Sequence, residues 1–159
     1  HAYSLINRIL TISKSQAGKL ELRKVQVNIT NMLSKMEENF KVNRLKNVSF
    51  ENHINCQYAF ADEEYLKEIF YNLIDNSIKY SDGDVTIRIS TDKVDKGVSI
   101  RVRDNGIGIS KADQKVIFDK YERASAAKRT FKKNGAPGFG LGLTYVFQVI
   151  DAHEGMIGV

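Results

Sequence analysis

The chain holds a single cysteine, Cys56. No internal disulfide is available to it, and a lone thiol fits a reducing compartment. No apolar run approaches the roughly 20 residues that span a bilayer, and no secretory signal opens the chain. The first residue is His1 rather than Met, so the chain is expected to be a piece of a longer protein. Internal repeats and low-complexity tracts are missing. So is any Lys/Arg-rich block interleaved with aromatics. The net charge of +5 therefore gives no case for a nucleic-acid partner. What is present is a globular composition, 42% hydrophobic and 27% charged over 159 residues. That is enough for one domain, or one domain with an appendage.

Periodicity supplies the elements. Residues 1–17 read as a helix, with Leu5, Ile9 and Ile12 on one seam and Ile6 and Leu10 beside it, as for a partner helix. Gly18 ends it. KLELRKVQVNI alternates as a strand does, through Leu20, Leu22, Val25 and Val27. A second helix carries Ile29, Leu33, Met36 and Phe40 on one face. VSFENHI and QYAFA are short strands. A third helix runs from the N-cap Asp62 to about Tyr80, with Leu66, Ile69, Phe70, Leu73, Ile74 and Ile78 as its apolar face. Ser81 to Asp84 is turn chemistry. VTIRIST and VSIRVRD are alternating strands joined by a turn at Lys96-Gly97. A helix is expected over residues 111–121 and a basic loop over 123–137. A final helix runs from about Gly140 to His153, and a strand begins at 156–159. The pattern predicts a two-layer α/β sandwich: a mixed, mostly antiparallel sheet with helices on one face, plus an N-terminal helix. The clear boundary falls near residues 18–24, dividing residues 1–18 from residues 19–159.

Four constellations carry chemistry, in chain order. Asn72 and Asn76 sit one turn apart inside the third helix, followed by Lys79 and Tyr80. Asn is a poor interior helix residue because its amide competes for backbone hydrogen bonds. Exposed Asn on a polar face is common, yet Asn76 offers a neutral oxygen suited to a hard cation that leans on phosphates. Lys79, one turn on, can neutralise phosphate. DNGIG, beginning at Asp104, follows a strand; Gly106 and Gly108 permit close backbone approach, although Asp-Asn-Gly is also an ordinary turn. FDKYER spans residues 118–123. GFGLGL, residues 138–143, is a glycine-rich entry to a helix, where backbone N–H groups and the helix dipole favour phosphate. It lacks the Lys-Ser/Thr of the Walker loop, and tight packing explains such glycines equally well.

In order, spacing and flanks, these stretches resemble the four nucleotide-binding boxes of the sensor histidine kinases, within the superfamily that includes gyrase, the Hsp90 chaperones and the MutL repair proteins. Asn72 to Tyr80 matches the N box, Asp104 to Gly108 the first glycine box, Phe118 to Arg123 the F box, and Gly138 to Leu143 the second glycine box. ADEEYLKEIF and VIDAHEG also fit the kinase pattern, so the resemblance covers nearly the whole chain. It implies a Bergerat-type ATP-binding fold with ATP and Mg²⁺ as ligands, Asn76 as the Mg²⁺ ligand and Asn72 lining the same site. Lys79 would contact phosphate and Tyr80 would border the adenine or ribose. Asp104 would accept a hydrogen bond from the adenine amino group, which favours ATP over GTP. Gly106, Gly108 and Ile109 complete that box. Arg123 would approach the phosphates. Gly138, Gly140, Leu141, Gly142 and Leu143 would form the hinge of a lid over residues 123–137.

Hydrolysing members of the superfamily place a Glu one turn before the metal Asn. Here that position is Asn72, an amide that cannot act as general base. The expectation is therefore phosphoryl transfer to a protein acceptor rather than to water. The phosphoacceptor His itself is not found. LINRILTISKSQAGKLEL resembles the second helix of a dimerisation hairpin and its exit strand, which places the acceptor helix upstream, and the family's closing hairpin is expected after residue 159. His53 and His153 read as structural. The expected partners are the phosphoacceptor/dimerisation domain of the same kinase, a response regulator receiver domain and a second copy of the full-length protein. The expected setting is the cytoplasmic part of a membrane-bound sensor. The competing readings are a non-enzymatic nucleotide-binding interaction module and a hydrolysing ATPase of the gyrase type.

Overall fold

The structure, a computed structural model, describes residues 2–41, 47–118 and 141–159. Its elements in order are α1 (Ala2–Gln16), β1 (Lys24–Asn28), α2 (Ile29–Lys41), β2 (Val48–Ile54), β3 (Tyr58–Asp62), α3 (Glu63–Lys79), β4 (Val85–Val94), β5 (Gly97–Asp104), a 3₁₀ turn (Asp113–Lys115) and α4 (Gly142–Ala152). They fall into two compact units, residues 23–108 and residues 1–22 with 109–159.

In the first unit, alternation along β4 puts Val85, Ile87, Ile89 and Thr91 into the interior and leaves Arg88 outside. β4 is the central strand of a three-stranded sheet, parallel to β2 and antiparallel to β5. The parallel pairing follows from topology. The chain leaves β2 and passes through β3 and α3 before it returns beside β2, and such a crossover brings strands back in the same direction. β1 and β3 form a separate antiparallel ladder from Lys24↔Asp62 to Asn28↔Tyr58. On the outer face, the Arg88 guanidinium meets the Glu51 carboxylate at 2.5 Å across the β2–β4 register. The Asn55 amide and the Arg101 guanidinium hold the Asp92 carboxyl below its ordinary range.

The core joins α2 and α3 to the sheets. Ile29, Met32, Leu33, Met36 and Phe40 come from α2; Leu66, Phe70, Ile74 and Ile78 come from α3; Val85, Ile87 and Ile89 come from β4. The rings of Phe40 and Tyr71 lie 5.0 Å apart between the two helices. Each such apolar side chain, once buried, contributes about 1.5–3 kcal/mol. Asp62 caps α3 as expected: one carboxylate oxygen accepts the Tyr65 N–H at 3.2 Å, and the other accepts the Arg23 N–H at 2.8 Å.

In the second unit, α1 stops where the Gly18 and Lys19 N–H groups bond back to the carbonyls of Ser15 and Lys14. Ile12 is buried, whereas Ile6, Ile9 and Leu10 are exposed; the Leu5 side chain lies outside the described part. The Ser15 hydroxyl donates to the Gln148 carbonyl of α4 at 3.2 Å. α4 buries Tyr145, Val146 and Val149. His153 closes it, with Nδ1 2.7 Å from the Val149 carbonyl.

Three expected elements differ. The first strand begins at Lys24 rather than near Leu20. Its partner among the described residues is β3, and that ladder ends where Asp62 turns into α3, so Leu20 and Leu22 are half-buried outside any described ladder. The helix expected over 111–121 is a short 3₁₀ turn among its described residues. Ser110 and Asp113 clamp that turn, the Ser110 hydroxyl donating to the carboxylate and accepting the Asp113 N–H. Residues 156–159 form no strand: Met156 is 98% exposed and no described strand runs beside it. No helix among the described residues is long and apolar enough to cross a membrane.

Candidate functional site

The site is built from α3 and the loop that leaves β5. α3 presents an apolar stripe to the core, with two polar side chains buried among it, Asn72 and Ser77. Asn72 does not project freely. Its Nδ2 donates to the Glu68 carbonyl one turn back at 2.8 Å, so the helix backbone satisfies the amide that Asn would otherwise offer to a competing conformation. Asn76, one turn on, is half-buried. Lys79 is half-exposed, and its ammonium lies 2.5 Å from the Asp75 carboxylate. Tyr80 ends the helix, its N–H bonded to the Asn76 carbonyl at 2.9 Å.

The loop after β5 is fastened to that helix end at two points. The Ile107 N–H donates to the Tyr80 carbonyl at 3.0 Å. The Ser77 hydroxyl donates to Asp104 Oδ2 at 2.8 Å. Asp104 Oδ1 accepts the Gly106 N–H at 2.9 Å, closing an Asx turn. Asp104 is the last residue of β5 and remains exposed to solvent while both of its oxygens are held. Gly106 is required by space. A Cβ there would stand 2.8 Å from the Tyr80 carbonyl oxygen and 2.9 Å from Asp104 Oδ1. Gly108 is required by conformation, at φ +70°. Asn105 secures the other side, its side-chain oxygen accepting the Thr86 N–H at 2.9 Å.

The structure places Asn72, Asn76, Lys79, Tyr80, Asp104, Gly106 and Gly108 in one unit. Ile109 opens the second unit and is exposed. Leu141, Gly142 and Leu143 lie in the second unit as well. Leu141 is buried and stands at the N-cap of α4, which has no side-chain cap among the described residues. Its carbonyl accepts the Tyr145 N–H at 2.9 Å. Arg123, Gly138 and Gly140, with Tyr121 and the lid expected over 123–137, lie outside the described residues. No cluster of His, Cys, Asp and Glu that would hold a metal occurs among the described residues.

Ser77 was not singled out from the sequence. The signal was available: a serine one place after Asn76, two turns from Phe70 on the stripe that otherwise buries Phe70, Ile74 and Ile78. Ser110 and Asp113 likewise carried a readable signature, the S-x-x-D spacing of a capped helical turn.

Residues 61–159, more than half of the chain, match the family described as histidine kinase-, DNA gyrase B- and HSP90-like ATPases. The chain belongs to that family, and its helices with a mixed, mostly antiparallel set of strands have the Bergerat-type ATP-binding fold. Its relatives place it on the sensor histidine kinase branch. It is 34% identical over 156 residues to the sensor protein CiaH of Streptococcus pneumoniae, covering 98% of this chain and 34% of that protein. It is 30% identical over 157 residues to the sensor histidine kinase WalK of Bacillus subtilis, covering 96% of this chain and 25% of that protein. The chain therefore spans about a third or less of those relatives. Among solved structures, full-length ShkA in complex with AMPPNP superimposes with a TM-score of 0.78 at 24% identity, over 99% of this chain and 32% of that one. The Acinetobacter baumannii histidine kinase AdeS gives 0.71 at 24%, over 94% of this chain and 66% of that one. At that identity the two structures support the fold alone.

Proposed function

We propose that the chain is the ATP-binding catalytic domain of a two-component sensor histidine kinase, which binds Mg-ATP and delivers the γ-phosphoryl group to a His on a dimerisation domain. The observation that carries this reading is the double fastening of the Asp104 loop to the end of α3. It sets an exposed, fixed carboxylate beside the helix that bears Asn76 and Lys79. The donor set fits the ligand. Asp104 is an acceptor suited to the adenine amino group. Asn76 offers a neutral oxygen to Mg²⁺. Gly106 keeps the loop close to the helix, where any Cβ would meet a carbonyl oxygen.

In this reading Lys79 exchanges its contact with Asp75 for phosphate, Tyr80 borders the adenine or ribose, and Gly108 and Ile109 continue the loop. Leu141, Gly142 and Leu143, with Gly138 and Gly140, form the hinge, and Arg123 approaches the phosphates. When bound, Mg²⁺ would neutralise charge on the phosphates during transfer. Asn72, buried and bonded to its own helix, leaves water without a general base at the position where the hydrolysing branch carries Glu. That favours a protein acceptor over water. Residues 1–18 are assigned to the second helix of the dimerisation hairpin and residues 19–159 to the catalytic domain. The partners are the phosphoacceptor domain, a receiver domain and, in the parent protein, a second copy at the cytoplasmic side of a membrane sensor.

The test is calorimetric titration of the chain and of Asp104→Asn with ATP and GTP, each with and without Mg²⁺. The expected outcome is Mg²⁺-dependent binding that prefers ATP and weakens in the variant by about 1–3 kcal/mol, the cost of an unpaired polar contact in a desolvated site. A folded chain that binds neither nucleotide would sink the proposal in favour of an interaction module. Steady phosphate release without an acceptor domain would favour the hydrolysing ATPase.

A further inference from the structure

Ser77 is a buried polar side chain of this unit that the nucleotide reading leaves without a role. It is 4% exposed, it sits on the core-facing side of α3, and it reaches a residue 27 positions away. A buried serine in a helix normally returns its hydroxyl to the carbonyl four residues back. That acceptor, the Leu73 carbonyl, is present at 3.0 Å. The hydroxyl also lies 2.8 Å from Asp104 Oδ2. A hydroxyl has one hydrogen to donate, so the two acceptors compete for it. The carboxylate is the stronger of the two, because hydrogen bonds to an ionised acceptor are shorter and stronger than neutral ones.

We propose that Ser77 is a positioning residue for purine selection: it fixes the Asp104 carboxylate from inside the helix, and through that carboxylate it sets the preference for a 6-amino purine without touching the nucleotide. The geometry gives the reason. Oδ1 is held by the Gly106 N–H within the loop, which orients the carboxylate relative to the loop alone. Oδ2 is held by Ser77, which orients it relative to α3, the element that carries Asn76 and Lys79. A carboxylate tied to both cannot rotate away from the direction in which a ring amino group approaches. The entropy of that ordering is then met during folding rather than at binding. Discrimination by a hydrogen-bonding site depends on the acceptor being unable to relax when the matching donor is missing. Without Ser77 the carboxylate is free to turn to water, and the penalty for a purine lacking the amino group falls.

This inference rests on the reading of Asp104 as the adenine acceptor, and its test separates the two. The affinities of ATP and of purine riboside triphosphate, which lacks the 6-amino group, are measured by calorimetry. The full chain is compared as wild type, Ser77→Ala, Ser77→Thr, Asp104→Ala and the double variant Ser77→Ala/Asp104→Ala, each shown to be folded by its melting transition. In the expected result, Ser77→Ala weakens ATP about tenfold, the share of one charge-assisted hydrogen bond. It leaves purine riboside triphosphate nearly unchanged, Ser77→Thr keeps the wild-type preference, and Ser77→Ala adds nothing in the Asp104→Ala background. Equal weakening of both nucleotides, or the same loss of ATP affinity with and without Asp104, overturns the proposal and leaves Ser77 a packing residue. If wild type does not distinguish the two nucleotides and Asp104→Ala costs nothing, the adenine reading itself fails and takes this proposal with it.

Discussion

At the scale of single residues, the loop after β5 is decided by a contact that leaves no room for a methyl group. Gly106 faces the Tyr80 carbonyl and Asp104 Oδ1 at 2.8 and 2.9 Å from where a Cβ would be. Both are fixed atoms, one of backbone and one of a doubly bonded carboxylate, so neither can yield cheaply. Gly106→Ala is expected to lower stability by about 1–3 kcal/mol, as overpacking does, and to abolish ATP binding at concentrations that saturate wild type. Urea unfolding and calorimetry check the two parts. A variant of full stability and full affinity would show that the loop is not held against α3. The two glycines of DNGIG were legible in the sequence as positions of close approach or unusual φ. Which glycine serves which need was not, because that depends on where the Tyr80 carbonyl lies.

At the scale of elements, α3 is the best-defined piece. Its start was readable from Asp62, and the structure adds a second use for that carboxylate. One oxygen caps the helix through the Tyr65 N–H, and the other accepts the Arg23 N–H at the head of β1. Asp62→Ala therefore removes a cap and a tie between ladder and helix at once. It is expected to cost about 1–2 kcal/mol, read as a shift of the urea midpoint with unchanged slope. Asp62→Asn, which keeps an acceptor, is expected to recover at least half of that. A shift no larger than that of an exposed substitution would mean that the cap is not formed in solution. Less legible were the elements whose extent depends on a neighbour. β1 stops at the length of β3, and the segment 156–159 has strand-like residues but no described strand to pair with. Alternation records which face of a strand is buried; it does not record which strand supplies the hydrogen bonds.

At the scale of the whole molecule, the two compact units make different demands. The unit of residues 23–108 carries the connected core of α2, α3 and the sheets. Phe70, 1% exposed within that core, is expected to cost about 3–5 kcal/mol when replaced by alanine, measured by urea unfolding. A loss under 1 kcal/mol would mean that the site collapses around the gap. The unit of residues 1–22 and 109–159 pairs α1 with α4. The apolar seam of α1 is of the kind that meets a partner helix. Ile12 is already buried, while Ile6, Ile9 and Leu10 stay exposed, so part of the seam is still available. For phosphoryl transfer, the two histidines among the described residues, His53 and His153, are read as structural. His153 is bonded to the Val149 carbonyl, and His53 lies within β2. Incubation with Mg-ATP alone is expected to give no phosphohistidine, and addition of a separate acceptor-helix domain is expected to give it. Label on His53 or His153 in the chain alone would overturn the assignment.

The sequence by itself determined the local decisions: where α3 starts, and which faces of α2 and β4 turn inward. These are set by periods of 3.6 and 2 residues and by side chains acting on their own backbone. Tertiary structure alone decided the rest. It made β2 and β4 parallel, turned Asn72 inward onto its own helix, and brought Ser77 to Asp104 across 27 positions of chain. The physical reason is that such contacts form between segments distant in the chain. A serine on a buried stripe is read from sequence as a minor flaw in packing until the fold supplies the carboxylate it holds.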